Sequence, residues 1–234
     1  MNILITGASR GIGAATRAGL EARGARVIGH GRADGPGQIG EDLADPAAPA
    51  RLWARALDAL DGRIDVLINN AGVFEAASVQ SEDDVWAASW ARTLQINLQA
   101  SADLCRAAIR HFETRGEPGR IINIASRAAY RGDSPSHWNY AASKGGMVAM
   151  TKSIARGFAP QGILAFAICP GFVMTGDEDT YLASRGGDRL LADIPLGRVA
   201  DPGEVAAVAT FLALDAPASM TGAVLDVNGA SFVR

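Results

Sequence analysis

TGASRGIG, residues 6–13, stands between the apolar segment NILI and an alanine-rich helical pattern. Its glycines, at positions 7, 11 and 13, permit tight turns and a close approach to the backbone that a Cβ would obstruct. A helix that begins here has unpaired amides and partial positive charge at its first turn, which suits an anion such as a diphosphate. A plain strand-to-helix turn also explains the glycines, so this stretch alone leaves both interpretations open.

Size and composition restrict the class of protein. The chain has 234 residues, of which 48% are hydrophobic and 20% charged. These values are ordinary for a soluble globular protein, and the length suits one α/β domain over residues 1–234. The net charge of -3 gives no overall basic face for nucleic acid. No apolar run approaches the ~20 residues of a membrane helix, and the first residues lack a secretion signal. We therefore expect a cytoplasmic protein that binds neither nucleic acid nor membrane.

The two cysteines, Cys105 and Cys169, lie far apart in sequence, each within an apolar stretch. No metal-ligand spacing accompanies them. We expect two buried free thiols and no metal site.

Short apolar segments alternate with helical patterns along the whole chain. Strands are predicted at residues 2–6, 26–30, 38–41, 65–69, 120–125, 163–169 and 223–228, and helices at residues 13–24, 49–60, 81–114, 139–158 and 202–214. Such alternation predicts an α/β fold with a mostly parallel, seven-stranded sheet and helices on both faces. Ligands of these sheets bind at the edge formed by the carboxyl ends of the strands. The irregular segment 171–198 is a possible substrate flap over that edge.

The strands end in polar or tightly turning groups. NNAG (69–72) follows the fourth strand, Ser126 the fifth, and CPGFVMTG (169–176) ends the sixth. Each group alone could be a simple turn. Their coincidence at one edge instead favours a binding site.

A sharper signal is YAASK, residues 140–144. Residues four apart on a helix share a face, so Tyr140 and Lys144 can address one site. A phenol ordinarily titrates near pH 10, and a neighbouring ammonium favours its phenolate, which makes proton transfer easier at neutral pH. The alternative is an exposed helix pair with no chemical role.

Together these motifs resemble the short-chain dehydrogenases/reductases, of the compact type with a Rossmann-type, doubly wound sheet. The resemblance covers essentially the whole chain. It rests on TGASRGIG, NNAG, Asn97 within LQINLQ, NIAS ending in Ser126, YAASK, PGFVMT, and the tail from PLGRVADPGEV to LDVNG.

The resemblance implies roles for four catalytic residues. Tyr140 is the expected general acid or base, and Lys144 is expected to lower its pKa and to bind the nicotinamide ribose. Ser126 is expected to hold the substrate oxygen, and Asn97 to position a water for proton relay. It also implies a set of cofactor-binding residues: Gly7, Ser9, Arg10, Gly11, Ile12, Gly13, Arg32, Asp42, Leu43, Asn70, Ala71, Gly72, Tyr140, Lys144, Pro170, Gly171, Val173 and Thr175.

The end of the second strand bears on the choice of cofactor. An acid there would bind the ribose hydroxyls of NAD, and an arginine would favour the 2'-phosphate of NADP. This chain has Gly31 followed by Arg32, and Arg10 lies in the glycine loop. We therefore predict a preference for NADP(H) over NAD(H). Two solvated surface arginines are the alternative, and Asp34 lies close enough in sequence to act as the acid.

The substrate is less well defined. Arg127, Arg131, His137 and Trp138 lie where the family builds its substrate pocket. One hypothesis is that Arg127 binds a carboxylate or phosphate, and the alternative is that these are solvent-facing loop residues. The family also implies a homotetramer, with a dimer as the alternative, built on helices 81–114 and 137–158 and on the C-terminal strand.

Three functions remain open. The leading one is an NADP(H)-dependent oxidoreductase that transfers hydride between the cofactor and a small carbonyl or alcohol substrate. A 3-oxoacyl-carrier-protein reductase is the second. A non-catalytic cofactor-sensing protein is the third, but sensing needs no acid beside the nicotinamide, and this chain retains Ser126, Tyr140 and Lys144.

Overall fold

The computed structural model describes residues 1–174 and 187–234. Its strands are β1 (Asn2–Ile5), β2 (Arg26–Gly31), β3 (Gln38–Gly40), β4 (Val66–Asn69), β5 (Gly119–Ile124), β6 (Ile163–Pro170) and β7 (Val224–Val227). Its α-helices are α1 (Gly11–Ala22), α2 (Ala48–Ala59), α3 (Asp83–Leu94), α4 (Ala100–Arg115), α5 (Ala128–Arg131), α6 (Trp138–Phe158), α7 (Asp188–Ala192) and α8 (Pro202–Leu214).

Within the described residues the strands form one seven-stranded sheet in the order β3-β2-β1-β4-β5-β6-β7. Every strand pair is parallel. The predicted strands, including the short third one, are therefore confirmed. The chain leaves β1 toward β2 on one side and returns to β4 on the other, and this reversal opens a crevice at the carboxyl ends of β1 and β4.

Helices cover both faces of the sheet, as predicted. One apolar core holds side chains of α2, α4 and α6, and a second holds side chains of α1 and α8. Strand β4 is buried along its whole length and β1 along most of it, because a strand covered on both faces must be apolar on both. Cys105 and Cys169 are buried free thiols, as predicted.

The long helix predicted at residues 81–114 is interrupted. A π-helical turn, Gln95–Gln99, separates α3 from α4. Such turns insert an extra residue into the helical ladder and are frequent at functional sites. Here the turn carries Asn97, whose side chain is held by backbone groups outside the helix.

The part of the chain that the structure describes contains no helix with both the length and the apolarity to cross a membrane. Residues 175–186 of the possible flap lie outside the described residues.

Candidate active site

The glycine loop and the NNAG loop are joined by hydrogen bonds between side chains and backbone groups. The Thr6 hydroxyl accepts hydrogen bonds from the amides of Asn70 and Ala71, both at 2.9 Å. The Asn70 side chain donates to the carbonyls of Thr6 and Gly7, also at 2.9 Å. Gly7 has a φ of 66°, and a Cβ on Gly13 would lie 2.1 Å from the Gly7 oxygen. The sequence places glycine here because the backbones pack directly against each other.

The first turn of α1 is open to an anion. Within the described residues its N-cap, Arg10, makes no side-chain capping bond, and no acid lies in the first turn. Helix α8 differs, because Asp201 and Glu204 complete a capping box at its start. Free amides at the positive end of a helix, next to a glycine loop, fit the diphosphate of a dinucleotide cofactor.

A buried histidine that sequence reasoning missed supports the glycine loop. His30 is 4% exposed, and its Nδ1 accepts the Gly7 N–H at 3.3 Å. Its Nε2 lies 3.0 Å from the Glu41 carbonyl, which it can contact only as a donor. These partners require the neutral ring with its hydrogen on Nε2, and burial lowers the pKa of His30. A lone histidine in a strand carries no sequence signal for this role.

Polar groups surround the end of β2, where the cofactor's ribose is expected. Arg10 and Arg32 are exposed, and the Ser9 hydroxyl lies 3.3 Å from Oε1 of Gln38. Asp34 is turned to other partners, since it accepts the Gly40 amide at 2.8 Å and Nη2 of Arg55 at 2.6 Å. The Gly40 amide and then Arg55 hold the pKa of Asp34 below its usual value.

Two of the predicted cofactor-binding residues, Asp42 and Leu43, follow β3. Asp42 is exposed and accepts the amide of Ala44 at 3.0 Å. Leu43 is buried, and its carbonyl accepts the side chain of Gln95 at 3.3 Å. This loop lies beside His30, because the His30 ring contacts the carbonyl of Glu41, the residue before Asp42.

The predicted catalytic groups meet at the end of β5. Lys144 is 4% exposed, and its Nζ donates to the Ile124 carbonyl at 2.8 Å and lies 5.8 Å from the centroid of the Tyr140 ring. Burial lowers the pKa of Lys144 to about 8. Ser126 is 8% exposed and accepts the amide of Ala128 at 3.1 Å. A Cβ on Gly72 would lie 3.5 Å from the lysine nitrogen, so the NNAG loop borders the same place.

Asn97 links this group to the NNAG loop. Its Oδ1 accepts the Val73 amide at 2.8 Å, and its Nδ2 donates to the Val73 carbonyl at 3.0 Å and to the Ser143 hydroxyl at 3.1 Å. The hydroxyl of Ser143 donates to the carbonyl of Tyr140 at 2.7 Å. The structure therefore brings Asn97 to the helix that carries Tyr140.

Asn139 is a second residue that sequence reasoning missed. It is fully buried, and its Oδ1 accepts the Tyr140 amide at 2.8 Å. Its Nδ2 donates to the hydroxyls of Thr93 at 3.0 Å and Ser89 at 3.3 Å. Asn139 thereby fixes the first turn of α6 against α3. An asparagine at a helix start is common in any protein, so the sequence gives no specific signal.

Aromatic rings form one wall beside Tyr140. The Phe74 and His137 rings stack at 3.9 Å between centroids, and Phe74 meets the Tyr140 ring edge-on at 4.8 Å. The hydroxyl of Ser134 lies 2.7 Å from Nδ1 of His137. Phe74 is the pocket-wall residue that the sequence did not single out, because nothing in NNAGVF marks its contact with residue 140.

The loop after β6 lies beside the residue that follows Ser126, because the Arg127 amide donates to the Pro170 carbonyl at 3.0 Å. Pro170 ends the strand, and the Gly171 amide donates to the Val227 carbonyl at 2.9 Å. Val173 is buried. Thr175, predicted to touch the cofactor, lies outside the described residues. In residues 1–174 and 187–234, no three His, Cys, Asp or Glu side chains are grouped to hold a metal ion.

Three features are typical of enzymes that use a nucleotide cofactor: the glycine loop, the open start of α1, and the group of Ser126, Tyr140 and Lys144. Comparison with known proteins points to the same class. The sequence model of the family described as enoyl-(acyl carrier protein) reductase matches residues 7–230. The 3-oxoacyl-[acyl-carrier-protein] reductases of Vibrio cholerae and Escherichia coli are 33% and 34% identical to the chain, with 98% of this chain and 96% of each relative covered. The cis-4-hydroxycyclohexanecarboxylate dehydrogenase of Sinomonas cyclohexanicum is 35% identical, with 97% and 94% covered.

The chain belongs to the short-chain dehydrogenase/reductase family. It is an NAD(P)-dependent oxidoreductase that acts on carbonyl or hydroxyl groups.

Proposed function

We propose that the enzyme reduces a small ketone or aldehyde with NADPH, with Tyr140 as the general acid. Bound NADPH would supply a hydride to the carbonyl carbon, and the Tyr140 hydroxyl would give its proton to the oxygen, which yields the alcohol and NADP⁺. Alcohol oxidation reverses both transfers. The observation that carries this proposal is the buried Lys144 ammonium, which lies between the Ile124 carbonyl and the Tyr140 ring, against the NNAG loop.

The neighbouring residues have supporting roles in this proposal. Ser126 donates a hydrogen bond to the substrate oxygen, where negative charge develops as the hydride arrives. Lys144 favours the phenolate that remains after proton transfer. Asn97 positions a water that returns a proton to the site.

A preference for NADP(H) is part of the proposal. The exposed Arg10 and Arg32 supply positive charge at the end of β2, and the carboxylate of Asp34 is engaged by Gly40 and Arg55. An acid held in this way is poorly placed to bind ribose hydroxyls. Values of kcat/KM for NADPH and NADH test the preference, and a tenfold preference for NADH would contradict it.

A 3-oxoacyl-carrier-protein reductase is the second candidate, because relatives of that name match nearly the whole chain. The similarity to the cis-4-hydroxycyclohexanecarboxylate dehydrogenase of Sinomonas cyclohexanicum instead favours a small cyclic hydroxy acid as the substrate. A carrier-protein substrate requires a basic docking patch, so acyl thioesters of a carrier protein should be compared with the same acyl groups on a small thiol. A preference for the carrier-bound form above tenfold would favour the second candidate.

The decisive experiment is a screen of the purified protein with NADPH against ketones, aldehydes and acyl thioesters. The matched control is Tyr140→Phe, which keeps the ring and removes the proton. Loss of nearly all turnover in this variant, with NADPH still bound, supports the role given to the phenol. A variant that keeps most of its activity refutes it. Binding of NADPH without turnover of any compound would favour a cofactor sensor.

We further propose a cytoplasmic homotetramer. A groove of about 390 Å³ lies between α4 and α6 and is lined by apolar groups that include Ile109, Ile154 and Phe158. Val85 on α3 and Trp138 at the start of α6 are 56% and 49% exposed. Light scattering at micromolar concentration should give a mass of four chains, and a monomer would contradict the proposal.

A further inference from the structure

Arg127, the residue after the predicted catalytic serine, is buried. It is 7% exposed, and its backbone amide donates to the Pro170 carbonyl at 3.0 Å, which holds it between the ends of β5 and β6. The explanation of Arg127 as a solvent-facing loop residue is therefore wrong. Its guanidinium lies at the same edge of the sheet as Ser126, the edge where ligands of parallel sheets bind.

The protein gives this guanidinium little compensating charge. Its Cζ lies 4.3 Å from the centroid of the Phe172 ring, so the plane of the group is held by an aromatic face. Within the described residues its ion-pair partner is Asp193, at 3.3 Å from Nη1. The same oxygen of Asp193 is closer to Arg131, at 2.7 Å. Two arginines thus share one carboxylate, which is itself 46% exposed.

Charge and burial together leave Arg127 suited to an incoming anion. Burial, followed by the charge of Arg131, lowers the pKa of Arg127, while Asp193 and the more distant Asp133 act in the opposite direction. A guanidinium has five N–H donors in a fork that matches a carboxylate. A bond of 3.3 Å to an oxygen already held by Arg131 can be exchanged for a better one.

We infer that Arg127 is a specificity-determining residue that binds a carboxylate of the substrate, so that the enzyme acts on oxo acids and hydroxy acids. The inference rests on the proposed function and adds a substrate class to it. The carbonyl of such a substrate lies between Ser126 and Tyr140, and its carboxylate displaces Asp193 from Arg127. Asp193 remains paired with Arg131.

Matched acid and amide substrates test the inference. The probes are 4-oxocyclohexanecarboxylate and 4-oxopentanoate, each compared with its carboxamide, which has nearly the same shape and no charge. The wild-type kcat/KM should be at least 30-fold higher for each acid than for its amide. In Arg127→Met this ratio should fall to within threefold of one. Arg23→Met, which removes an exposed arginine paired with Asp215, is the control and should leave the ratio unchanged.

Asp193→Asn provides a second test if Arg127→Met does not fold. Because Asp193 competes with the substrate for Arg127, its neutral replacement should lower the KM of the acids 3- to 10-fold and leave the KM of the amides unchanged. A merely structural tie between α5 and α7 predicts the opposite, a higher KM for acids and amides alike.

The outcomes separate the inference from the proposed function. Equal turnover of acids and amides by the wild type, or an unchanged ratio in folded Arg127→Met, overturns the inference and leaves carbonyl reduction intact. If the NADPH-bound wild type reduces no acid or amide in the set and no compound of the wider ketone panel, both the inference and the proposed function are overturned.

Discussion

The two ends of the sheet's functional edge are built in different ways. At β1 and β4 the glycine loop and the NNAG loop meet through backbone amides, carbonyls and two short side chains, Thr6 and Asn70. Around Ser126 and Tyr140 the contacts join long side chains from distant segments, such as Arg127 to Asp193 and Phe74 to His137. We call these the cofactor region and the substrate region.

The difference explains why one region is readable in the sequence and the other is not. Backbone packing in the cofactor region admits few residue types, because a Cβ at Gly13 would overlap the Gly7 oxygen. Side-chain pairs in the substrate region can be exchanged for others without changing the sheet. Enzymes that share a cofactor therefore share a recognisable sequence motif. The residues that bind a substrate particular to one enzyme are instead scattered along the sequence.

The largest effect is expected at Lys144, which borders both regions. Lys144→Met should lower kcat/KM by about 10²- to 10⁴-fold and leave the thermal midpoint of the cofactor-free protein unchanged or raised. The pKa of Lys144 falls from 10.5 to about 8 because its ammonium is buried, so the charge costs about 3 kcal/mol of stability at pH 7. This cost disappears as the pH rises from 8 to 10.5. Any difference in thermal midpoint between Lys144→Met and the wild type should disappear over the same range.

The chain's other lysine is the control for this variant. Lys152 is exposed, and Lys152→Met should change neither kcat/KM nor the midpoint. Steady-state kinetics and thermal unfolding at pH 7 and pH 10 measure both quantities. A Lys144→Met protein that is clearly less stable at pH 7 would show that the ammonium stabilises the fold.

The next effect tests the rigidity of the cofactor region. Gly13→Ala should weaken binding of NADPH and NADH at least 100-fold, because the new Cβ would lie 2.1 Å from the Gly7 oxygen and 2.6 Å from Nδ2 of Asn70. Gly145→Ala, where the nearest atom is 3.7 Å away, is the matched control and should bind normally. Fluorescence titration measures both. Tight binding by folded Gly13→Ala would remove the contrast between the two regions.

A smaller, pH-dependent effect is expected at His30. Its folded pKa is lowered by burial, despite the opposing influence of Glu41 and Asp42, so the neutral ring is the stable form and stability is lost as pH falls below 6.5. A proton on Nδ1 would face the Gly7 N–H and remove its acceptor. The Kd for NADH should therefore rise 3- to 10-fold between pH 7 and pH 5.

NADH is the probe for His30 because a 2'-phosphate titrates in the same pH range. His30→Gln cannot titrate, so its Kd should stay constant over these pH values, whatever its magnitude. A parallel rise of Kd in the variant would assign the pH dependence to another group.

The smallest effect lies outside both regions. Gly157 is in the last turn of α6, where an added Cβ would meet no atom of the described residues within 4 Å beyond its chain neighbours and the helix's own backbone. Gly157→Ala should stabilise the protein by about 0.5 kcal/mol through helix propensity and a less flexible unfolded chain. Urea unfolding measures the gain. Destabilisation would indicate that this face of α6 is covered in the native assembly.

Contacts at short range along the chain were predictable from sequence, and contacts between distant segments were not. The alternation of strands and helices identified each strand that the structure describes, since buried parallel strands are apolar throughout. It missed the π-helical turn at Gln95–Gln99, because one extra residue does not disturb an amphipathic pattern enough to be seen. The motifs singled out Ser126, Tyr140 and Lys144 as candidate site residues, whereas His30 and Asn139 acquire their partners only through folding.

The sequence by itself determined the order of the seven strands, the glycine-rich loops and the Tyr–Lys pair on one helix face, because each depends on spacing along a few residues. Only the tertiary structure decided that Arg127 is buried, that it shares Asp193 with Arg131, and that Phe74 stands beside Tyr140. The physical reason is that burial and charge pairing depend on which distant segments meet at the sheet edge, and spacing along the chain does not record that.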